Sequence, residues 1–245
     1  MEGTNDTTTI SIIRHAHSLW NAAEVYPSFG SHEVMVYLPD LMDPALSNAG
    51  ITQALYMSQE IKKTPFDFVF ISPLRRSLQT ASYLFSNNPG NPKMIVLPLI
   101  SERLGCAADI GSDYRTIKKE FPTFDFTLVD ALENPEYWYL ENIANVEWKS
   151  SVIKKLKEEA IRDKDTAAFV LRQMKEYDRE NCEPETDIKI RADKAKEFLK
   201  QFISKEGKEK KYAIVSHAVY LHVFTKTDDK DGYWFKNCEI KEFTF

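Results

Sequence analysis

The alternation of apolar and polar positions predicts a regular series of strands and helices. Four β-branched or aromatic runs read as strands: Thr9 to Arg14, Phe66 to Ile71, Met94 to Ile100 and Tyr212 to Ser216. Between them the apolar spacing changes to three and four. Ser47 to Lys63 puts Ile51, Ala54, Leu55 and Ile61 on one face, with Ser47 as the N-cap. A second helix follows Ser72-Pro73 and runs to about Phe85. A third, about Thr186 to Ser204, aligns Ile188, Ala192, Ala195, Leu199, Phe202 and Ile203, and Gly207 lies just beyond it. Strands alternating with helices predict an α/β fold, a mostly parallel central sheet flanked by helices.

From about Gly105 to Glu183 no strand pattern is visible. This segment reads as a helical insertion capping one end of the sheet, within a single domain spanning residues 1–245. Tyr137, Trp138, Tyr139 and Trp148 are expected to pack. The charged stretch from Ser151 to Arg179 is expected to be helical with a solvated face.

Composition narrows the function classes. Lys plus Arg number 32 and Asp plus Glu 37, a formal charge of −5 that argues against a nucleic-acid partner. The longest apolar stretch, Tyr212 to Phe224, is too short to span a bilayer, and the polar start of the chain predicts no secretory signal. Cys106, Cys182 and Cys238 form no disulfide framework and no metal spacing, which suits a reducing, cytoplasmic setting.

In open α/β sheets ligands bind beyond the carboxyl ends of the strands. Three predicted strands end there in reactive residues: Arg14-His15, Ser72 with Arg75-Arg76, and Ser216-His217. Glu102 lies just past the third strand, Met94 to Ile100. Arginine forks match phosphate oxygens, and a histidine beside arginines is disfavoured as a cation and so kept nucleophilic. A nearby carboxyl could protonate a leaving group. Such a pocket suits a phosphate monoester attacked by histidine.

The spelling of these segments resembles a known family. Arg14-His15-Ala16-His17-Ser18-Leu19-Trp20-Asn21 is similar to the R-H-G-x-[ST]-x-x-N signature of the histidine phosphatase superfamily, the phosphoglycerate-mutase-like proteins. Asp43 to Gly50, followed by Gln53-Ala54, resembles its D-x-x-L-[TS]-x-x-G-x-x-Q-A segment. Ser72 to Ala81 resembles S-P-L-x-R-[AC]-x-Q-T-A, and Val215-Ser216-His217 its late strand with a second histidine. The resemblance implies His15 as the nucleophile, Arg14 and Arg76 as phosphoryl ligands, and His217 completing a cationic cradle. It implies Glu102 as the acid, then the base. Asn21 and, more weakly, Ser18 are implied as phosphate or flanking contacts. Arg76 rather than Arg75 fits the family pattern. Ala16 replaces the signature glycine and is harmless unless its φ is positive. His17 is a candidate for substrate contact at the rim; His32 and His222 have no motif support.

The resemblance implies a non-mutase phosphatase that uses a phosphohistidine, with no metal and no cofactor, and that takes a small-molecule or protein phosphomonoester. Specificity would lie in the insertion and in the loop from Ala22 to Asp43, where Tyr26, Phe29 and Tyr37 could line the mouth. Three alternatives stay open. A phosphoglycerate mutase would continue after its acid with His-Tyr-Gly, whereas Arg103-Leu104-Gly105 follows Glu102. A metal hydrolase would use His15 and His17 with further ligands. A noncatalytic phosphate-binding or interaction module would use the same fold. Substrate and oligomeric state are not encoded in these motifs.

Overall fold

The computed structural model describes residues 9–25, 38–159, 161, 163–177 and 182–244. His32, Tyr26, Phe29 and Tyr37 lie outside them. In chain order the elements are β1 (Thr9–Arg14), α1 (Leu19–Glu24), α2 (Asn48–Ile61), β2 (Phe68–Ile71), α3 (Arg75–Phe85) and β3 (Lys93–Val96). Then come α4 (Tyr114–Glu120), α5 (Thr127–Asp130), α6 (Trp138–Glu141), α7 (Val146–Glu158), α8 (Asp163–Tyr177) and α9 (Glu185–Glu206). The chain returns to the sheet with β4 (Tyr212–Ser216), α10 (Ala218–Thr225) and β5 (Ile240–Thr244).

The sheet order is β3-β2-β4-β1-β5. The first four strands run parallel, and β5 pairs antiparallel with β1. All five residues of β4 are buried, as a central strand covered on both faces should be. Successive side chains alternate between two cores. Ala213 and Val215 join Val69, Ile71 and Ile13 on one face, with Ala54 of α2 and Leu78, Ala81 and Leu84 of α3. Tyr212 and Ile214 join Phe70, Ile10 and Ile12 on the other, against Ile188, Ala192, Ala195 and Leu199 of α9 and Leu221 and Phe224 of α10.

Three expectations need adjusting. The third strand is shorter than its apolar run, because Pro98 opens a tight turn over Pro98–Ile100. β5 falls where the pattern predicts no strand. Its sequence, IKEFT, is half-exposed, and an edge strand packed on one neighbour needs few apolar residues. The charged stretch is two helices, α7 and α8, and only their outer faces are solvated. Val152, Ile153 and Leu156, with Ala167, Val170, Leu171 and Met174, enter the same core as α2 and α3. Tyr137, Trp138 and Tyr139 are buried there too, and Trp148 lies against Tyr177 with ring centroids 4.7 Å apart. A β-carbon on Gly111 would come within 1.9 Å of the Trp138 ring, so the indole requires a glycine there.

Candidate active site

The strand register gathers the reactive residues. In the parallel ladder Arg14 stands opposite Ser216 at the ends of β1 and β4. One step further, His15 and His217 emerge side by side, their ring centroids 5.1 Å apart. The backbone N–H of His15 donates to Ser216 O at 2.8 Å. β2 flanks β4 on its other side, and just past its end Ser72 Oγ lies 2.7 Å from His217 Nε2. Ser77, in the first turn of α3, brings its hydroxyl to 3.2 Å from the same nitrogen. Arg76 lies in that same turn.

Two helix N-termini face this region, and neither is capped by its own side chain. Carboxylates from elsewhere take over. Asp43 Oδ1 accepts from Arg75 N–H at 2.8 Å at the start of α3, and its Oδ2 accepts from Ser112 N–H at 3.1 Å. Glu102 accepts from Val219 N–H at 3.3 Å and Tyr220 N–H at 3.0 Å in the first turn of α10. These bonds satisfy helix donors that would otherwise lack partners. They also fix the Glu102 carboxylate at the pocket, two residues from His217 along α10.

His15 Nδ1 lies 2.7 Å from Ala16 O. A carbonyl only accepts, so Nδ1 carries the hydrogen and Nε2 keeps its lone pair. Burial, then Arg76 and Arg14, lower the His15 pKa well below 6.5, so the ring is neutral. The arginine effect expected from the sequence is present, but burial leads. His217 is lowered well below 6.5 for the same reasons, burial first and Arg76 next. The expected cationic cradle is therefore corrected. Its permanent charge comes from Arg14 and Arg76, and His217 is a neutral hydrogen-bonding group. Among the described residues His217 Nδ1 and Arg14 Nε are buried without a partner.

Arg76 is held from one side only. One terminal nitrogen donates to Ala108 O and the other to Asp109 Oδ1 at 3.0 Å. Asp109 Oδ2 in turn accepts from Gly105 N, Cys106 N and, at 3.0 Å, Cys106 Sγ. Burial pushes the Asp109 carboxyl up to about 6, while Arg76 pulls it the other way. Arg75 instead pairs with Glu120 and reaches Ser112. The arginine expected from the motif is thus the one that lines the pocket.

The pocket encloses about 300 Å³, and Arg14, His15, Ser18, Asn21, Arg76 and Glu102 all border it. Ser18 caps α1, its hydroxyl 3.1 Å from Asn21 Oδ1, which also accepts from Asn237 at 3.2 Å. His17 is not brought to the pocket. Its Nδ1 is 2.8 Å from Ser47 Oγ, and its backbone N–H donates to Gln53 Oε1 at 2.9 Å. It joins β1 to the start of α2, which approaches so closely that a β-carbon on Gly50 would lie 1.9 Å from His17 O. Ala16 is fully buried and is not among the residues with positive φ, so alanine fits where the signature has glycine. His222 stacks on Trp234 at 4.1 Å between ring centroids. Among the described residues no three or more His, Cys, Asp or Glu are grouped to hold a metal ion. None of the described helices is long and apolar enough to cross a membrane.

The roles of three residues, Asp109, Glu183 and Arg191, escaped the sequence reading, and Asp43 was read only as part of a motif. Arg191 left a signal, since it lies three residues after Ile188 and four before Ala195, on the apolar face of α9. It is buried with Glu183, which accepts from it at 2.7 and 2.9 Å.

Comparison with known proteins points to one family. A family model described as the histidine phosphatase superfamily (branch 1) matches residues 10–146, more than half of the chain. A probable phosphatase of Schizosaccharomyces pombe is 29% identical over 114 residues, which is 45% of this chain and 52% of that protein. A 2,3-bisphosphoglycerate-dependent phosphoglycerate mutase of Chlamydia muridarum is 32% identical over 81 residues, 33% of this chain and 30% of that protein. The chain thus spans about half or less of the length of these curated relatives. Among solved structures, the phosphoglycerate mutase of Bacillus anthracis superposes with a TM-score of 0.57 at 12% identity, covering 98% of this chain and 88% of that one. That likeness is one of fold, the phosphoglycerate-mutase-like fold. With the family match over more than half of its length, including β1 to β3 and Arg14, His15, Arg76 and Glu102, the chain belongs to the histidine phosphatase superfamily, branch 1.

Proposed function

We propose that the protein is a cytoplasmic phosphatase that hydrolyses a phosphate monoester through a phosphohistidine at His15. The observation that carries this reading is the pair of buried nitrogens without a partner, Arg14 Nε and His217 Nδ1, next to a histidine whose Nε2 is free to attack. Buried polar atoms in folded proteins are nearly always satisfied, so two orphans at one site point to an oxygen-rich ligand.

The substrate dianion lies against Arg14 and Arg76, and His217 donates from Nδ1 while Nε2 accepts from a serine hydroxyl. His15 Nε2 forms a bond to phosphorus as the ester P–O bond breaks. The Nδ1–H bond to Ala16 O spreads the positive charge that develops on the ring. Glu102 acts as the acid and supplies a proton to the departing oxygen. As a carboxylate it then removes a proton from the water that attacks phosphohistidine, and inorganic phosphate leaves. Most of the rate enhancement comes from positioning and from charge placed on the equatorial oxygens. Asn21 and Ser18 shape the flank of the phosphate position. The segment from about 105 to 183 caps the pocket and selects a small-molecule or protein phosphomonoester.

The test is a phosphomonoester panel run with wild type and His15→Ala. Wild type is expected to release phosphate and to carry an acid-labile phosphoryl label. The variant should lose the label and fall by about a thousandfold or more in turnover. Equal turnover by the two proteins would sink the mechanism.

A further inference from the structure

We propose that Arg191, clamped by Glu183, is a positioning residue for Glu102, tying the far end of the 105–183 segment to the acid of the reaction. The inference rests on the phosphohistidine reading and adds to it what holds the acid in place.

A guanidinium has five N–H groups, and Arg191 makes five bonds. Two go to the Glu183 carboxylate, at 2.7 and 2.9 Å. The other three go to main-chain carbonyls: Leu99 O at 3.2 Å, Ser101 O at 2.6 Å and Glu102 O at 3.0 Å. Glu183 grips the same loop from the other end. Its Oε2 accepts from Leu104 N–H at 3.1 Å, and its own N–H donates to Leu104 O at 2.7 Å. The backbone of Glu102 is thus pinned on both sides.

The far end of Glu102 is held through the same arginine. The carboxylate accepts from Tyr220 N–H, and the Arg191 guanidinium sits 4.8 Å from the centroid of the Tyr220 ring. Arg191 therefore touches both the loop that carries the acid and the helix turn that receives it. Replacing a buried ion pair with apolar residues often leaves stability unchanged or raises it. What this pair supplies is geometry, and the geometry it fixes is that of Glu102. Displacing a catalytic group by a fraction of an ångström is felt most where the chemistry most needs it. An acid matters for alkoxide leaving groups and little for nitrophenolate.

The experiment compares single-turnover phosphorylation of His15 by para-nitrophenyl phosphate and by glycerol 3-phosphate. It uses the full chain as wild type, Arg191→Lys, Glu183→Gln and Glu102→Gln. Lysine keeps the charge but cannot form the fork. The expected result is an aryl-to-alkyl rate ratio raised about a hundredfold in Arg191→Lys, in the same direction as Glu102→Gln, and about tenfold in Glu183→Gln. An unchanged ratio, with both rates lowered equally, overturns the positioning role and leaves a structural one. If Arg191→Lys does not fold by circular dichroism, the ratio in Glu183→Gln decides in the same terms. A wild type that shows no label on His15 with either ester overturns the phosphohistidine reading itself, which separates the two failures.

Discussion

Two buried arginines, Arg76 and Arg191, each pair with a carboxylate, yet the remainder of each guanidinium differs. Arg191 spends every donor inside the fold, on Glu183 and three carbonyls. Arg76 gives one bond to Ala108 O and one to Asp109, and borders the pocket with the rest of its fork. Both are almost fully buried, at 4% and 2% exposure, so burial alone does not separate them. Unused hydrogen-bond capacity does. A saturated fork holds the protein together, whereas an unsaturated one is available to a ligand.

The contrast breaks most directly by removing each arginine. Arg76→Ala should lower kcat/KM by about a thousandfold, close to 4 kcal/mol, because it deletes charge aimed at the transferring oxygens. Arg191→Met should instead cost about 3 kcal/mol or more in urea unfolding, since it strands Glu183 and three carbonyls. Adding Glu183→Leu to Arg191→Met should restore part of that stability. If Arg76→Ala proves the more destabilising and Arg191→Met the more damaging to kcat/KM with a good leaving group, the criterion fails.

Much of this site was legible in the sequence, for a simple reason. Apolar runs that end abruptly in Arg14-His15 and Ser216-His217 mark both the strands and what their ends present. The parallel register then does the rest, because residues after paired strand ends must be neighbours. What could not be read depends on contacts across long separations. Asp109 meets Arg76 across 33 positions, and Arg191 meets Ser101 across 90. Periodicity carries no information about such partners. β5 was invisible because an edge strand needs so little apolar patterning. Burial as the leading cause of the neutral His15 was equally hidden, since it arises from the assembled layers. Only the charge on the apolar face of α9 hinted at Arg191.

Asp109, the partner of Arg76, also bears on stability, because burial pushes its carboxyl up to about 6. His15 and His217 are lowered well below 6.5, so below about pH 6.5 the unfolded chain binds protons there that the folded chain does not. Stability should therefore fall as the pH drops. Asp109 acts in the opposite sense. It is raised from 3.8 to about 6, and between those values the folded chain holds a proton that the unfolded chain releases, which adds stability on acidification. Each group contributes at most about 1.4 kcal/mol per pH unit. With two histidines against one carboxyl, stability should fall on going from pH 6 to pH 5. Urea midpoints at the two pH values should show it. Asp109→Asn should make the loss steeper and His217→Asn shallower. An unchanged loss in Asp109→Asn would show that Asp109 is ionised throughout this range.

The smallest effect is expected at His17, where the same criterion sorts a histidine instead of an arginine. By sequence it sits two residues from the nucleophile and is an obvious candidate for substrate contact. Its Nδ1 is already engaged with Ser47 Oγ at 2.8 Å, and that hydroxyl lies 3.2 Å from His17 O. Since Ser47 also accepts from Gly50 N–H at 3.2 Å, the histidine supports the cap of α2. His17→Gln should then cost at most about 1 kcal/mol in stability, the worth of one net hydrogen bond. The kcat and the affinity for inorganic phosphate should stay within about threefold of wild type, since no donor aimed at the transition state is lost. A rise in KM of tenfold or more, with stability unchanged, would return His17 to the rim and limit the criterion to arginine.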